Sequence, residues 1–195
     1  MSPILFVLGP SGSGKSEISK AFQECYSFLH VDIDQDRDSK HGFELNNFPA
    51  QWDRDVSLID FTQFALEIQH RVTQQTAAGS VISVPTIHVF SSDQLAIASR
   101  AGVWTVILWG TEQQCIQARR TRSKKNKKRF NEKDVERYLR RNRRTFETYS
   151  RSEYDQYRIV VFHSDGGPHW SVEHNLANII QRTGWSLKTN QYVKS

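Results

Sequence analysis

Eight consecutive residues near the N-terminus, Gly9-Pro10-Ser11-Gly12-Ser13-Gly14-Lys15-Ser16, constrain this chain more than any other stretch. They match the phosphate-binding pattern G-x-x-x-x-G-K-[ST] at every fixed position. Before them, Ile4-Leu5-Phe6-Val7-Leu8 is an unbroken apolar run, the pattern of a buried strand. After them, Ile18, Phe22, Cys25 and Tyr26 recur at helical spacing. Strand, glycine-rich turn and helix, in that order, is the setting the pattern requires. Glycines let the backbone curl so that successive N–H groups face one point, and the free amides opening the helix add partial positive charge. Gly9, Ser11, Gly12, Ser13, Gly14, Lys15 and Ser16 are therefore the expected nucleotide contacts. Lys15 is placed to reach the β- and γ-phosphates, and the Ser16 hydroxyl to ligate Mg²⁺.

At 195 residues the chain fits a single α/β domain, 1–195, around one sizeable core. No apolar stretch approaches the length of a membrane span. The apolar run at 4–8 has no basic segment ahead of it, so no signal peptide is expected and a cytoplasmic location is. Cys25 and Cys115 are the only cysteines; they indicate no disulfide framework, which suits a reducing compartment. The net charge of +5 directs attention to acidic partners: nucleotides, phosphate esters or nucleic acid.

Patterning along the chain predicts five short strands alternating with helices, a three-layer α/β/α arrangement around a five-stranded parallel sheet. The first helix runs from about Lys15 to Tyr26, and Phe28-Leu29-His30-Val31 is strand two. Residues from about 36 to 56 have no clear period and read as an irregular substrate-side excursion. Ser57 to Asp60 resembles a capping box, followed by Leu58, Phe61, Ala65, Ile68 and Val72 at helical spacing, with Gly79 as the stop. Val81–Val84 is strand three, Asp93 to Ala101 a short helix, and Val103–Trp109 a central strand. Thr111 with Gln114 opens the next helix, which enters a basic lid at about 119–131. Asn131 caps a long helix to about Ser150 with Val135, Tyr138, Leu139, Phe146 and Tyr149 as its inner face. Arg158–Phe162 is strand five, Val172 to Ile180 marks the last helix, and 183–195 reads as a surface tail.

Asp32 and Asp34 lie where strand two ends, two apart and so on one side of an extended segment. Beyond the carboxyl ends of parallel strands is where ligands sit in such sheets. One of the two carboxylates is suited to a Mg²⁺-bound water, the other to orienting or deprotonating an attacking hydroxyl. Asp36 and Asp38, alternating with Arg37, read as a solvated face, and His30 and His88 as structural histidines. The run Arg119 to Arg129 suits a lid that closes over ATP and brings arginines to the transferring phosphoryl group. A nucleic-acid-binding strip, extended by Arg137, Arg140, Arg141, Arg143, Arg144 and Arg151, is the less favoured reading because interleaved aromatics are sparse. His163, just past strand five, is a candidate neighbour of the nucleotide base.

With these residues in view, the chain resembles the small-molecule P-loop kinases of the nucleoside-monophosphate-kinase group, shikimate and gluconate kinases above all. The likeness is carried by Gly9–Ser16, by His30-Val31-Asp32-Ile33-Asp34-Gln35, and by Thr111-Glu112-Gln113-Gln114 followed by Lys127-Lys128-Arg129. The resemblance implies that Asp32 helps hold magnesium and that Asp34 binds and activates the acceptor hydroxyl. It also implies that Arg129 is the lid arginine at the phosphates, and that Arg119 or Arg120 borders the adenine. Two segments depart from the pattern. The family's triple-glycine turn after strand three reads Val84-Pro85-Thr86 here. Phe48-Pro49-Ala50-Gln51-Trp52-Asp53-Arg54 stands where its Gly-Phe-x-x-x-Glu segment would be, with Arg54 left to meet a substrate anion. Shikimate itself is therefore not the expected acceptor. A weaker likeness to guanylate kinases lies in Gly9-Pro10-Ser11-Gly12 and Tyr154-Asp155, which keeps a nucleotide acceptor open.

The expectation is an ATP- and Mg²⁺-dependent kinase, a monomer or homodimer without membrane attachment, acting on a small hydroxyl- or phosphate-bearing molecule. A nucleotide or polynucleotide kinase, and a non-catalytic ATP-binding regulatory protein, remain as alternatives.

Overall fold

The computed structural model describes residues 2–32, 60–84, 90–125, 127, 130–157, 159–162 and 172–187. Strands β1 (Ile4–Leu8), β2 (Phe28–Asp32), β3 (Gly79–Ser83), β4 (Val103–Trp109) and β5 (Ile159–Phe162) form one parallel sheet in the order β2-β3-β1-β4-β5. Helices α1 (Lys15–Tyr26), α2 (Phe61–Gln74), α3 (Ser92–Arg100), α4 (Glu112–Lys125), α5 (Val135–Tyr149) and α6 (Val172–Thr183) supply the outer layers.

The pleat of β1 sorts the core. Ile4, Phe6 and Leu8 face one way and join Phe61, Phe64 and Ile68 of α2, Leu95 and Ala98 of α3, and Tyr149 of α5. Leu5 and Val7 face the other way and join Ile18 and Phe22 of α1 with Leu176 and Ile179 of α6. All five β1 residues are buried, which is why the strand reads as a continuous apolar run rather than an alternating one. The chain adds β2 and β3 on one side of β1, then β4 and β5 on the other. The carboxyl end of β1 is thus the switch point of the sheet, and the glycine-rich turn begins there.

Several boundaries differ from the sequence reading. Asp60 is itself the N-cap of α2, accepting the Thr62 and Gln63 amides at 3.0 Å each, and is not the third residue of a box opened at Ser57. Gly79 does not stop α2, which ends at Gln74; it opens β3, where a Cβ would lie 2.8 Å from the Phe28 ring. Val84 falls just past β3, though its N–H still donates to the Val7 carbonyl at 3.0 Å. Asn131 caps a single 3-10 turn, Glu132–Asp134, which runs on into α5. The buried residues of α5 are Asn142, Thr145 and Tyr149, while Phe146 is 50% exposed. Nor is everything past Thr183 a surface tail: the Trp185 ring packs 5.9 Å from Phe28 and 6.5 Å from Phe22. Tyr154 is buried in a 3-10 turn, Ser152–Tyr157, where its hydroxyl donates to the Phe90 carbonyl at 3.1 Å.

The expected excursion at 36–56 and His88 lie outside the described residues, as does the end of the tail beyond Leu187. Among the described residues no helix is long and apolar enough to cross a membrane.

Candidate phosphate-binding site

The loop between β1 and α1 curls because three of its glycines take positive φ: Gly9 at 141°, Gly12 at 93° and Gly14 at 90°. Two of them are also pressed against neighbouring backbone. A Cβ on Gly9 would sit 2.4 Å from the Leu108 carbonyl oxygen of β4, and one on Gly12 would sit 2.4 Å from the Cys115 carbonyl oxygen of α4. Glycine is required here by shape and by conformation together. Gly14 is the N-cap of α1, and its carbonyl accepts the Glu17 and Ile18 amides at 3.0 Å each. The first-turn amides at Lys15 and Ser16 precede any intrahelical acceptor, so the helix presents donors and partial positive charge to the loop's hollow. Lys15 spans the loop: its Nζ donates to the Gly9 carbonyl at 2.9 Å and the Pro10 carbonyl at 3.0 Å.

Beside the loop, the Ser16 hydroxyl donates to Asp32 Oδ2 at 3.3 Å. A hydroxyl and a carboxylate are the hard oxygen groups that magnesium takes, directly or through a bound water. Ser16 and Asp32 therefore fit a magnesium site. Beneath them, His30 Nε2 lies 3.3 Å from Ser83 Oγ, which lies 2.9 Å from Ser19 Oγ. Burial holds the His30 imidazole below its ordinary pKa, with Asp32 pulling the other way. His30 is thus a partnered histidine supporting the strand ends.

The other wall comes from α4. A cleft of about 760 Å³ lies between Gly12, Gly14 and Ser16 on the loop side and Cys115, Arg119 and Arg122 on the helix side. That is the volume range of small-molecule sites. Burial pushes the Cys115 thiol up to about 11, so it stays protonated and inert beside the loop. Arg119 donates to the Ser11 hydroxyl, and its guanidinium stacks on Tyr138 of α5, 3.5 Å from the ring centre. Arg120 is elsewhere: it forms an exposed ion pair with Glu132 at 2.7 Å and does not line the cleft. Of the two arginines expected beside the base, Arg119 lines this cleft and Arg120 is not among its lining residues.

The structure thus brings together Gly9, Ser11, Gly12, Ser13, Gly14, Lys15, Ser16, Asp32 and Arg119, and leaves Arg120 apart. Asp34, Arg54, Arg129 and His163 lie outside the described residues. Missed in the sequence were Tyr138 as a platform for Arg119 and Asn142, whose Oδ1 accepts the Ser11 amide at 3.2 Å. The available signal for Asn142 was a polar residue four positions after Tyr138, on the inner stripe of α5.

No protein-family model matches the chain, and no curated protein sequence does either. Solved structures do. A sugar kinase from Janibacter sp. superposes with a TM-score of 0.55 at 14% identity, covering 95% of this chain and 96% of that one. Shikimate kinase from Bacteroides thetaiotaomicron superposes with a TM-score of 0.53 at 16% identity, covering 95% and 100% of the two chains. The chain shares its overall fold with these kinase structures. A third structure, shikimate kinase from Acinetobacter baumannii in complex with shikimate, matches with a TM-score of 0.51 at 16% identity over 96% of this chain and 97% of that one. At these identities the likeness is one of fold, and a shared fold alone does not name an activity or an acceptor.

Proposed function

We propose that the protein is an ATP- and Mg²⁺-dependent phosphotransferase acting on a small hydroxyl- or phosphate-bearing acceptor. The observation that carries this is the pairing of a glycine-built amide cradle and Lys15 with Ser16 and Asp32, 3.3 Å apart, Asp32 standing at the end of β2. A phosphate cradle alone binds anions; a cradle with a hard-oxygen pair beside it suits a metal-bound polyphosphate.

In this reading the loop amides and Lys15 hold the β- and γ-phosphates, Lys15 exchanging the Gly9 and Pro10 carbonyls for phosphate oxygens. Ser16 directly, and Asp32 through water, hold magnesium. When bound, the ion neutralises charge between the β- and γ-phosphates. Asp34 orients or deprotonates the acceptor hydroxyl, and Arg54 meets an acceptor anion. Arg129 neutralises charge as the phosphoryl group moves, and Arg119 with His163 borders the base. The contribution of these residues is positioning and electrostatics more than covalent chemistry.

The test is ATP consumption against a panel of sugars, hydroxy acids, nucleosides and nucleoside monophosphates. At least one acceptor should raise turnover well above the rate with water alone. Lys15→Ala and Asp32→Asn should each lower that turnover by about 10²-fold or more. A panel in which no acceptor exceeds the water rate defeats the assignment.

A further inference from the structure

Buried polar residues on α5 are handled in two ways. Thr145 is satisfied within its helix, its hydroxyl donating to the Arg141 carbonyl at 3.1 Å. Asn142, only 4% exposed, reaches out of its helix instead, and its Oδ1 accepts the Ser11 amide of the phosphate loop at 3.2 Å. Its Nδ2 is buried with no hydrogen-bond partner among the described residues. Burying an amide in this way is costly, a penalty that an apolar side chain at this position would not carry. What the asparagine adds is the bond to the loop. Ser11 is gripped a second time, because Arg119 of α4 donates to its hydroxyl while stacking on Tyr138, one turn before Asn142. A side chain from α4 and one from α5 therefore hold the same loop residue. The next residue, Gly12, has its backbone against Cys115 of α4.

We propose that Asn142 is a positioning residue of the phosphate loop. By holding the Ser11 amide it sets the direction of the amides from Gly12 to Ser16, and it ties that direction to the placement of α5. Aligned donors bind phosphate without reorganising at the moment of binding, so a loop held from outside binds more tightly than a free one. The inference rests on the nucleotide-binding reading above.

The first measurement needs no nucleotide: hydrogen exchange of the Ser11 amide in the ligand-free chain. Exchange is expected to be slow in the wild type and at least about tenfold faster in Asn142→Leu. It should be slow again in Asn142→Asp, which keeps the acceptor oxygen. The second measurement is calorimetry with Mg²⁺-ATP, where Asn142→Leu should bind about fivefold more weakly, the effect of one net hydrogen bond. In turnover, KM for ATP should rise while KM for the acceptor stays unchanged. Equal Ser11 exchange in the wild type and Asn142→Leu overturns the proposal, and so does an unchanged ATP affinity. Should Asn142→Leu fail to fold, Ser11 exchange in the wild type as fast as an exposed loop amide overturns it. A wild-type chain that binds no ATP overturns the kinase reading instead, and the exchange comparison still decides the role of Asn142.

Discussion

At the scale of single residues, the site depends on positions where no other side chain fits. Gly12 has φ 93°, and a Cβ there would meet the Cys115 carbonyl oxygen at 2.4 Å. Gly12→Ala should therefore combine left-handed strain with a backbone clash. We expect a loss of more than about 1 kcal/mol in stability and loss of measurable ATP binding, read by urea unfolding and calorimetry. His30 offers a different test. Burial depresses its folded-state pKa below the ordinary 6.5, so the unfolded chain takes up a proton first as pH falls. The stability this contributes is fully present above about pH 6.5 and is lost as pH falls from there toward the folded-state value. Urea midpoints at about pH 7.5 and about pH 5.5 should differ in the wild type, and by less in His30→Gln. These residues were legible to different degrees. The loop was readable because the residue types that shape it stand in eight adjacent positions. Asn142 was not, because its partner Ser11 is 131 positions away and no local pattern pairs them.

At the scale of elements, periodicity locates helices well and their neighbours poorly. The α5 stripe was expected to be Val135, Tyr138, Leu139, Phe146 and Tyr149; Tyr149 is buried as expected, but Phe146 is exposed and the other buried residues are the polar Asn142 and Thr145. Asn142 meets the loop, and Tyr149 meets Phe90, whose amide donates to the Tyr149 hydroxyl at 2.9 Å. Capping was more legible, since it depends on neighbours in sequence. Thr111 and Gln114 exchange the expected pair of hydrogen bonds, at 3.0 and 3.2 Å. The segment after α6 shows the opposite case. Trp185 stands in no periodic pattern, yet its ring lies against Phe22, Phe28 and Trp104. Trp185→Ala should cost about 2–3 kcal/mol, below the roughly 3–5 of a fully buried tryptophan because one side stays in solvent. Thermal unfolding would measure it, and a change within experimental error would return the segment to a surface tail.

At the scale of the whole molecule, the carboxyl ends of β1 and β4 meet at the switch point of the sheet, and Asp32 at the end of β2 reaches the same loop through Ser16. A ligand there touches elements from both halves of the chain, so its binding should stabilise the fold as a unit. Mg²⁺-ATP at about 100 times its dissociation constant should add about 2.7 kcal/mol, raising Tm by about 5–10 °C. Trp185→Ala should start from a lower Tm and show the same rise, whereas Lys15→Ala should show almost none. A rise of equal size in Lys15→Ala would mean that ATP binds somewhere other than the loop.

Lys15 gives the site one more property. Its ammonium is docked on the Gly9 and Pro10 carbonyls across the mouth of its own loop. An arriving polyanion thus finds a cation already held at the loop by two carbonyls. Neutral dipoles are traded for charged oxygens. The berth is cut for a slim, round-headed group. Arginine keeps the charge, but its flat fork cannot be stowed between two carbonyls on so tight a curve, so the nominally mild change Lys15→Arg would leave the hollow positively charged and wrongly shaped.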